Sequence, residues 1–148
     1  MKRREFIRIG ATALMSLPMI SFSKDFRKEK PDAWTSKKLD DAIKKVYGDI
    51  KPTEKGVKLK TPEVANNGGQ IPIKIKSKIP AKTVAVFQDV NPESLVAIFD
   101  VMEGQPVDYL IKIKMKKTGS VYVILEGTDG KFYSAKSSFK VALGGCEG

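Results

Sequence analysis

Cys146 is the one side chain in this sequence with an evident capacity for covalent chemistry, and it stands in Gly144-Gly145-Cys146-Glu147-Gly148, directly after an apolar-polar alternation that reads as a strand. The thiolate is the reactive form of cysteine, with an unperturbed pKa of about 8.5. Gly144 and Gly145 present no side chain to block a narrow channel and reach backbone conformations closed to other residues. From Leu143 to Cys146 the chain spans at most roughly 10 Å when extended. Such a thiol can be handed into the pocket of another protein. Glu147 and the terminal carboxylate place negative charge beside it, which disfavours the thiolate. The free thiol is therefore expected to be sluggish, with activation supplied by a positive pocket in a partner.

Cys146 is the only cysteine, and the sequence contains no histidine. That removes Ser-His-Asp and Cys-His nucleophile pairs together with the commonest zinc and haem ligands. One cysteine cannot close a coordination shell, so no metal and no cofactor is expected. Paired carboxylates such as Asp40-Asp41 read as the polar start of a helix. A cysteine without an internal partner is an inert leftover, an intermolecular disulfide former or a working thiol; burial does not suit a glycine-flanked chain end.

The elements that must position this thiol begin after a leader. Lys2-Arg3-Arg4 precedes an apolar stretch from about Ile9 to Phe22, with Ser21-Phe22-Ser23 as a small-residue cleavage site. Residues 1–23 thus read as a twin-arginine export signal. The apolar stretch falls short of the ~20 residues a membrane-spanning helix needs, so no stable membrane anchor is expected and the mature chain is placed in the periplasm. An oxidising compartment makes the single cysteine more conspicuous. The formal charge of +10 falls to about +7 without the leader. Lys74, Lys76, Lys112, Lys114 and Lys116 alternate with apolar residues, which reads as a solvated sheet face rather than a nucleic-acid site.

Residues 24–34 are charged and aperiodic and read as a flexible lead-in. Thr35 or Ser36 caps a predicted helix whose apolar face is Leu39, Ala42, Ile43, Val46 and Tyr47, with Gly48 as its stop. After Pro52 the period changes to two. Predicted strands cover 57–60, 71–76, 84–88, 95–102, 107–115, 121–126, 131–135 and 138–143, separated by turn signals at Asn66-Asn67-Gly68-Gly69, Asn91-Pro92 and Asp129-Gly130. Pro72 cannot donate to a ladder, so its strand begins there or lies at an edge. One short helix before about seven or eight strands predicts an all-β, immunoglobulin-like antiparallel sandwich over residues 35–143, followed by a carrier arm at 144–148.

The tail resembles that of the SoxY family, the sulfur-compound carriers of periplasmic thiosulfate oxidation, whose signature is a C-terminal Gly-Gly-Cys-Gly-Gly. The similarity extends through Thr128-Asp129-Gly130-Lys131-Phe132-Tyr133-Ser134-Ala135, Val84-Ala85-Val86-Phe87, Asn91-Pro92-Glu93 and Pro62-Glu63-Val64-Ala65-Asn66-Asn67-Gly68. It implies an immunoglobulin-like fold, a SoxZ-like subunit in a heterodimer, and Cys146 as the covalent attachment point for thiosulfate-derived sulfur species, on an arm of Gly144, Gly145, Glu147 and Gly148. It further implies that the carrier is not itself an enzyme. A SoxAX-like c-type cytochrome joins thiosulfate to the cysteine, a SoxB-like hydrolase releases sulfate, and in some systems a SoxCD-like dehydrogenase oxidises the remaining sulfane. Glu147 departs from the usual glycine. Two other readings compete. A secreted structural or adhesion module would use Cys146 only to cross-link two copies, and a ubiquitin-like sulfur carrier would need a terminal Gly-Gly that Glu147-Gly148 does not supply.

Overall fold

The computed structural model describes residues 24–142. Three helices, α1 (Phe26–Glu29), α2 (Pro31–Trp34) and α3 (Leu39–Tyr47), precede eight strands: β1 (Val57–Lys60), β2 (Val64–Ala65), β3 (Ile71–Ser77), β4 (Ala81–Gln88), β5 (Leu95–Asp100), β6 (Val107–Ile113), β7 (Gly119–Gly127) and β8 (Phe132–Val141). They form a three-stranded sheet ordered β1-β3-β6 and a five-stranded sheet ordered β2-β8-β7-β4-β5. The result is the immunoglobulin-like sandwich that the turn spacing predicts.

The two sheets differ in what covers their outer faces, and the sequence of each follows from that. In β3 the buried and exposed residues alternate strictly; Ile71, Ile73 and Ile75 are fully buried between the sheets while Lys74 and Lys76 face solvent. Burial of each such side chain contributes about 1.5–3 kcal/mol. β4 instead buries Val84, Ala85, Val86 and Phe87 in succession. Val84 and Val86 join the inter-sheet core. Ala85 and Phe87 face the other way, into a second apolar layer with Ala33, Ala42 and Val46 of the helices. A strand covered on both faces loses its alternation.

Several local expectations are corrected. The 24–34 segment, read as flexible, carries α1 and α2: Ala33 is fully buried, Trp34 Nε1 donates to the Phe26 carbonyl at 3.1 Å, and the Arg27 guanidinium lies 4.2 Å over the Trp34 ring. Seven charged residues among these eleven concealed two apolar anchors. Neither Thr35 nor Ser36 caps α3; its N-cap is Lys38, without a side-chain bond, because both hydroxyls donate to the Asp32 carbonyl in α2. Gly48 does end the helix, at φ 79°. The two strands expected at 131–135 and 138–143 are one, Phe132–Val141, whose Ser137-Ser138 step stays paired with β7. Pro72 lies second in a strand that is central in its sheet, but β1 pairs with β3 only over Lys74–Ser77, so Pro72 has a neighbour on one side alone.

Candidate functional site

The expected attachment residue Cys146 and its arm, Gly144, Gly145, Glu147 and Gly148, lie outside the described residues, as does the leader at 1–23. What the structure defines is the base from which the chain proceeds to Cys146. Phe139 and Val141 are buried in the inter-sheet core and anchor the end of β8. On one side β2 runs parallel to it, pairing Val64 with Lys140 and Ala65 with Val141. The Lys140 N–H donates to the Glu63 carbonyl at 3.1 Å and the Ala142 N–H to the Ala65 carbonyl at 2.9 Å. On the other side, the Val141 N–H donates to Thr118 Oγ1 at 3.0 Å. The backbone is thus hydrogen-bonded at three successive residues up to Ala142. Cys146 follows Ala142 by four positions, a reach of at most ~14 Å.

Thr118 belongs to the β6–β7 loop, which is fixed from three directions. Met115 is fully buried, and its N–H donates to the Gly68 carbonyl at 2.9 Å. Asn91 Nδ2 donates to the Lys114 carbonyl at 2.7 Å and its Oδ1 accepts the Lys116 N–H at 3.0 Å. Asn91 is in turn held by Gln88, a fully buried side chain whose Oε1 accepts the N–H groups of Val90 and Asn91 at 2.7 and 2.6 Å and whose Nε2 donates to the Glu93 carbonyl at 2.6 Å. Because Met115 points inward, Lys114 and Lys116 point outward, with Lys117 beside them. Sequence reasoning found the Asn91-Pro92 turn but missed Thr118, Asn91 and Gln88 as supports. Their partners are remote in sequence, and no local pattern marks them.

The lysines read from the alternation come together on one surface. Lys58, Lys60, Lys74, Lys76 and Lys112 occupy the exposed side of the three-stranded sheet. A cleft of about 870 Å³, lined in part by Ile79, Pro80, Val101 and Pro106, opens at the opposite end of the sandwich from Ala142. Groups with displaced titration also lie away from the chain exit. Burial raises the Tyr47 phenol far above its ordinary value. The Tyr133 hydroxyl and the Lys131 N–H, bonded to Asp129, hold that carboxyl below the usual range. Among the described residues no group of three or more Cys, His, Asp or Glu side chains could hold a metal ion, and no helix is long and apolar enough to cross a membrane.

Residues 43–146 match the family model described as sulfur oxidation protein SoxY. The structure of the sulfur carrier protein SoxY from Chlorobium limicola f thiosulfatophilum is similar, with 32% sequence identity, a TM-score of 0.65, and coverage of 72% of this chain and 97% of that one. The neelaredoxin (superoxide reductase) of Ignicoccus hospitalis, at 17% identity and TM-score 0.52 over 60% of this chain and 81% of its own, shares the fold. So does a putative superoxide reductase of Thermotoga maritima, at 13% identity and TM-score 0.53 over 71% and 98%. No curated protein sequence matches.

Proposed function

Because the chain belongs to the SoxY family of sulfur oxidation proteins, we propose that it holds thiosulfate-derived sulfur covalently on Cys146 and presents it to the enzymes of thiosulfate oxidation. The observation that carries this reading is the extent of the family match, which runs through residue 146 and so includes the one cysteine of the sequence.

In the proposed cycle the Cys146 thiolate and the sulfane sulfur of thiosulfate lose two electrons to a c-type cytochrome, forming a sulfur–sulfur bond and leaving Cys–S–S–SO3⁻. A hydrolase then adds one water across the sulfane–sulfonate bond, releasing sulfate and two protons and leaving the persulfide Cys–S–S⁻. The remaining sulfane is oxidised in place or passed on. Through all of this the carrier contributes position rather than catalysis: a base hydrogen-bonded up to Ala142 and a short arm of known maximum reach. A SoxZ-like subunit completes the carrier as a heterodimer, and a twin-arginine leader delivers it to the periplasm.

The test is an intact mass of the protein isolated from cells growing on thiosulfate, beside a Cys146→Ser control. Masses matching thiosulfonate, sulfonate or added sulfur atoms, absent from the control, are expected. An unmodified thiol or a symmetric disulfide dimer alone would overturn the proposal in favour of a cross-linked structural module.

A further inference from the structure

We infer that the exposed face of the three-stranded sheet is a docking surface for an enzyme whose arm-receiving pocket opens in an acidic rim. The three strands of this sheet carry five lysines and one acid, Asp108. The register sets lysine against lysine: Lys58 lies opposite Lys76 and Lys60 opposite Lys74 on adjacent strands. Like charges directly opposite one another on a sheet are destabilising. Only Lys76 gains a counter-charge, from Asp108 at 3.6 Å; Lys58, Lys60, Lys74 and Lys112 form no ion pair among the described residues. Leu110, opposite Lys74 and 72% exposed, adds an apolar contact within the basic field.

A solvated face requires no such concentration, and alternating lysine and glutamate would solubilise the sheet without repulsion. A lysine-rich surface also does not suit a permanent interface, whose buried centre is depleted in lysine. It suits a transient, salt-sensitive encounter, in which complementary charge raises the association rate. The field continues past Lys112 into the loop bearing Lys114, Lys116 and Lys117, which Thr118 ties to Val141. Docking on this face therefore brings the base of the arm to the partner's rim. With at most ~14 Å between Ala142 and Cys146, a partner must approach that closely for the thiol to enter its pocket.

The inference rests on the carrier reading, and the experiment separates the two. The chain is loaded with thiosulfonate on Cys146, and sulfate release by the hydrolase of the same organism is measured between ~20 and ~300 mM NaCl. The variant Lys58→Glu/Lys74→Glu turns both opposed lysine pairs into opposite-charge pairs, so its thermal midpoint should equal or exceed that of the parent. Its kcat/KM should fall by about tenfold at low salt with a flatter salt dependence. Lys37→Glu/Lys38→Glu, an equal change in charge on the helix-bearing side, should leave kcat/KM near the parent value. Equal kcat/KM for all three proteins, or an equal loss in both variants, would overturn the inference alone. So would loss of binding to phosphatidylglycerol vesicles by the first variant with an unchanged rate of sulfate release, which would assign the face to a lipid surface. No sulfate release from the loaded parent protein would overturn the carrier reading and this inference with it.

Discussion

The Val141 N–H and the Thr118 hydroxyl oxygen, 3.0 Å apart, join the end of β8 to the β6–β7 loop. Beyond Phe139, which pairs with Gly119, β8 has no further β7 residue to bond, and Thr118 substitutes a side-chain oxygen for the missing carbonyl. The base of the arm and the loop carrying Lys114, Lys116 and Lys117 are thereby one unit.

Thr118→Val keeps the shape and leaves the Val141 N–H without its partner, at a cost of about 1–2 kcal/mol. Urea unfolding should show this loss, and amide exchange at Val141 and Ala142 should quicken more than at Val121 and Val123 in the centre of the sheet. Thr118→Ser should restore both. Uniform quickening throughout the sheet would show that Thr118 acts on global stability alone.

Gln88→Leu should cost about 3 kcal/mol, because a fully buried side chain that satisfies two backbone N–H groups and one carbonyl is replaced by one that satisfies none. The Asn91 bridge to Lys114 and Lys116 should loosen with it. Thermal melts measure the first effect, and proteolysis within residues 89–94 and 114–118 measures the second; an unchanged midpoint would mean that the turn holds itself.

Much of the architecture was legible in the sequence, and the reasons are local. The alternation in β3 and β6 reports a sheet with one wet face, and Gly48 reports a helix end, since each signal depends on near neighbours. The merged β8 was not legible, because Ser137 and Ser138 look like a turn until β7 pairs with them. Nor were α1 and α2, whose ordering depends on Ala33 and Trp34 joining an apolar layer that includes Phe87, a residue far along the chain. At the candidate site the sequence singled out Cys146 and its glycines by type. The supports at Thr118, Asn91 and Gln88 and the opposition of Lys60 to Lys74 exist only in the register between strands.

Glu147→Gly should lower the pKa of the Cys146 thiol, since it removes a neighbouring negative charge that opposes ionisation. Titrating the thiolate absorbance of both proteins measures the change. An unchanged or higher value in the variant would show that Glu147 does not restrain the thiol, leaving its role to contact with partner channels.

At the far end of the sandwich, Thr83 Oγ1 donates to Glu126 Oε2 at 2.9 Å, so the Tyr47 hydroxyl, 2.8 Å from Thr83 Oγ1, is the donor in that pair. Burial is the main cause of the raised Tyr47 pKa, and the Glu126 charge adds to it. An unfolded chain releases the phenolic proton near pH ~10, whereas the folded chain retains it. The stabilisation is therefore complete below pH ~10 and is lost progressively as pH rises toward the folded-state value. Tyr47→Phe removes both the bond and the titration. At neutral pH it should destabilise by about 1 kcal/mol, and above pH ~10 its stability should fall less steeply than that of the parent, so that the two curves converge. Tyr109 and Tyr133, whose pKa values are also raised, contribute alkaline slopes common to both proteins, and the difference between the curves isolates Tyr47. Parallel curves in urea unfolding across this range would show that the phenol ionises no differently in the folded and unfolded chains.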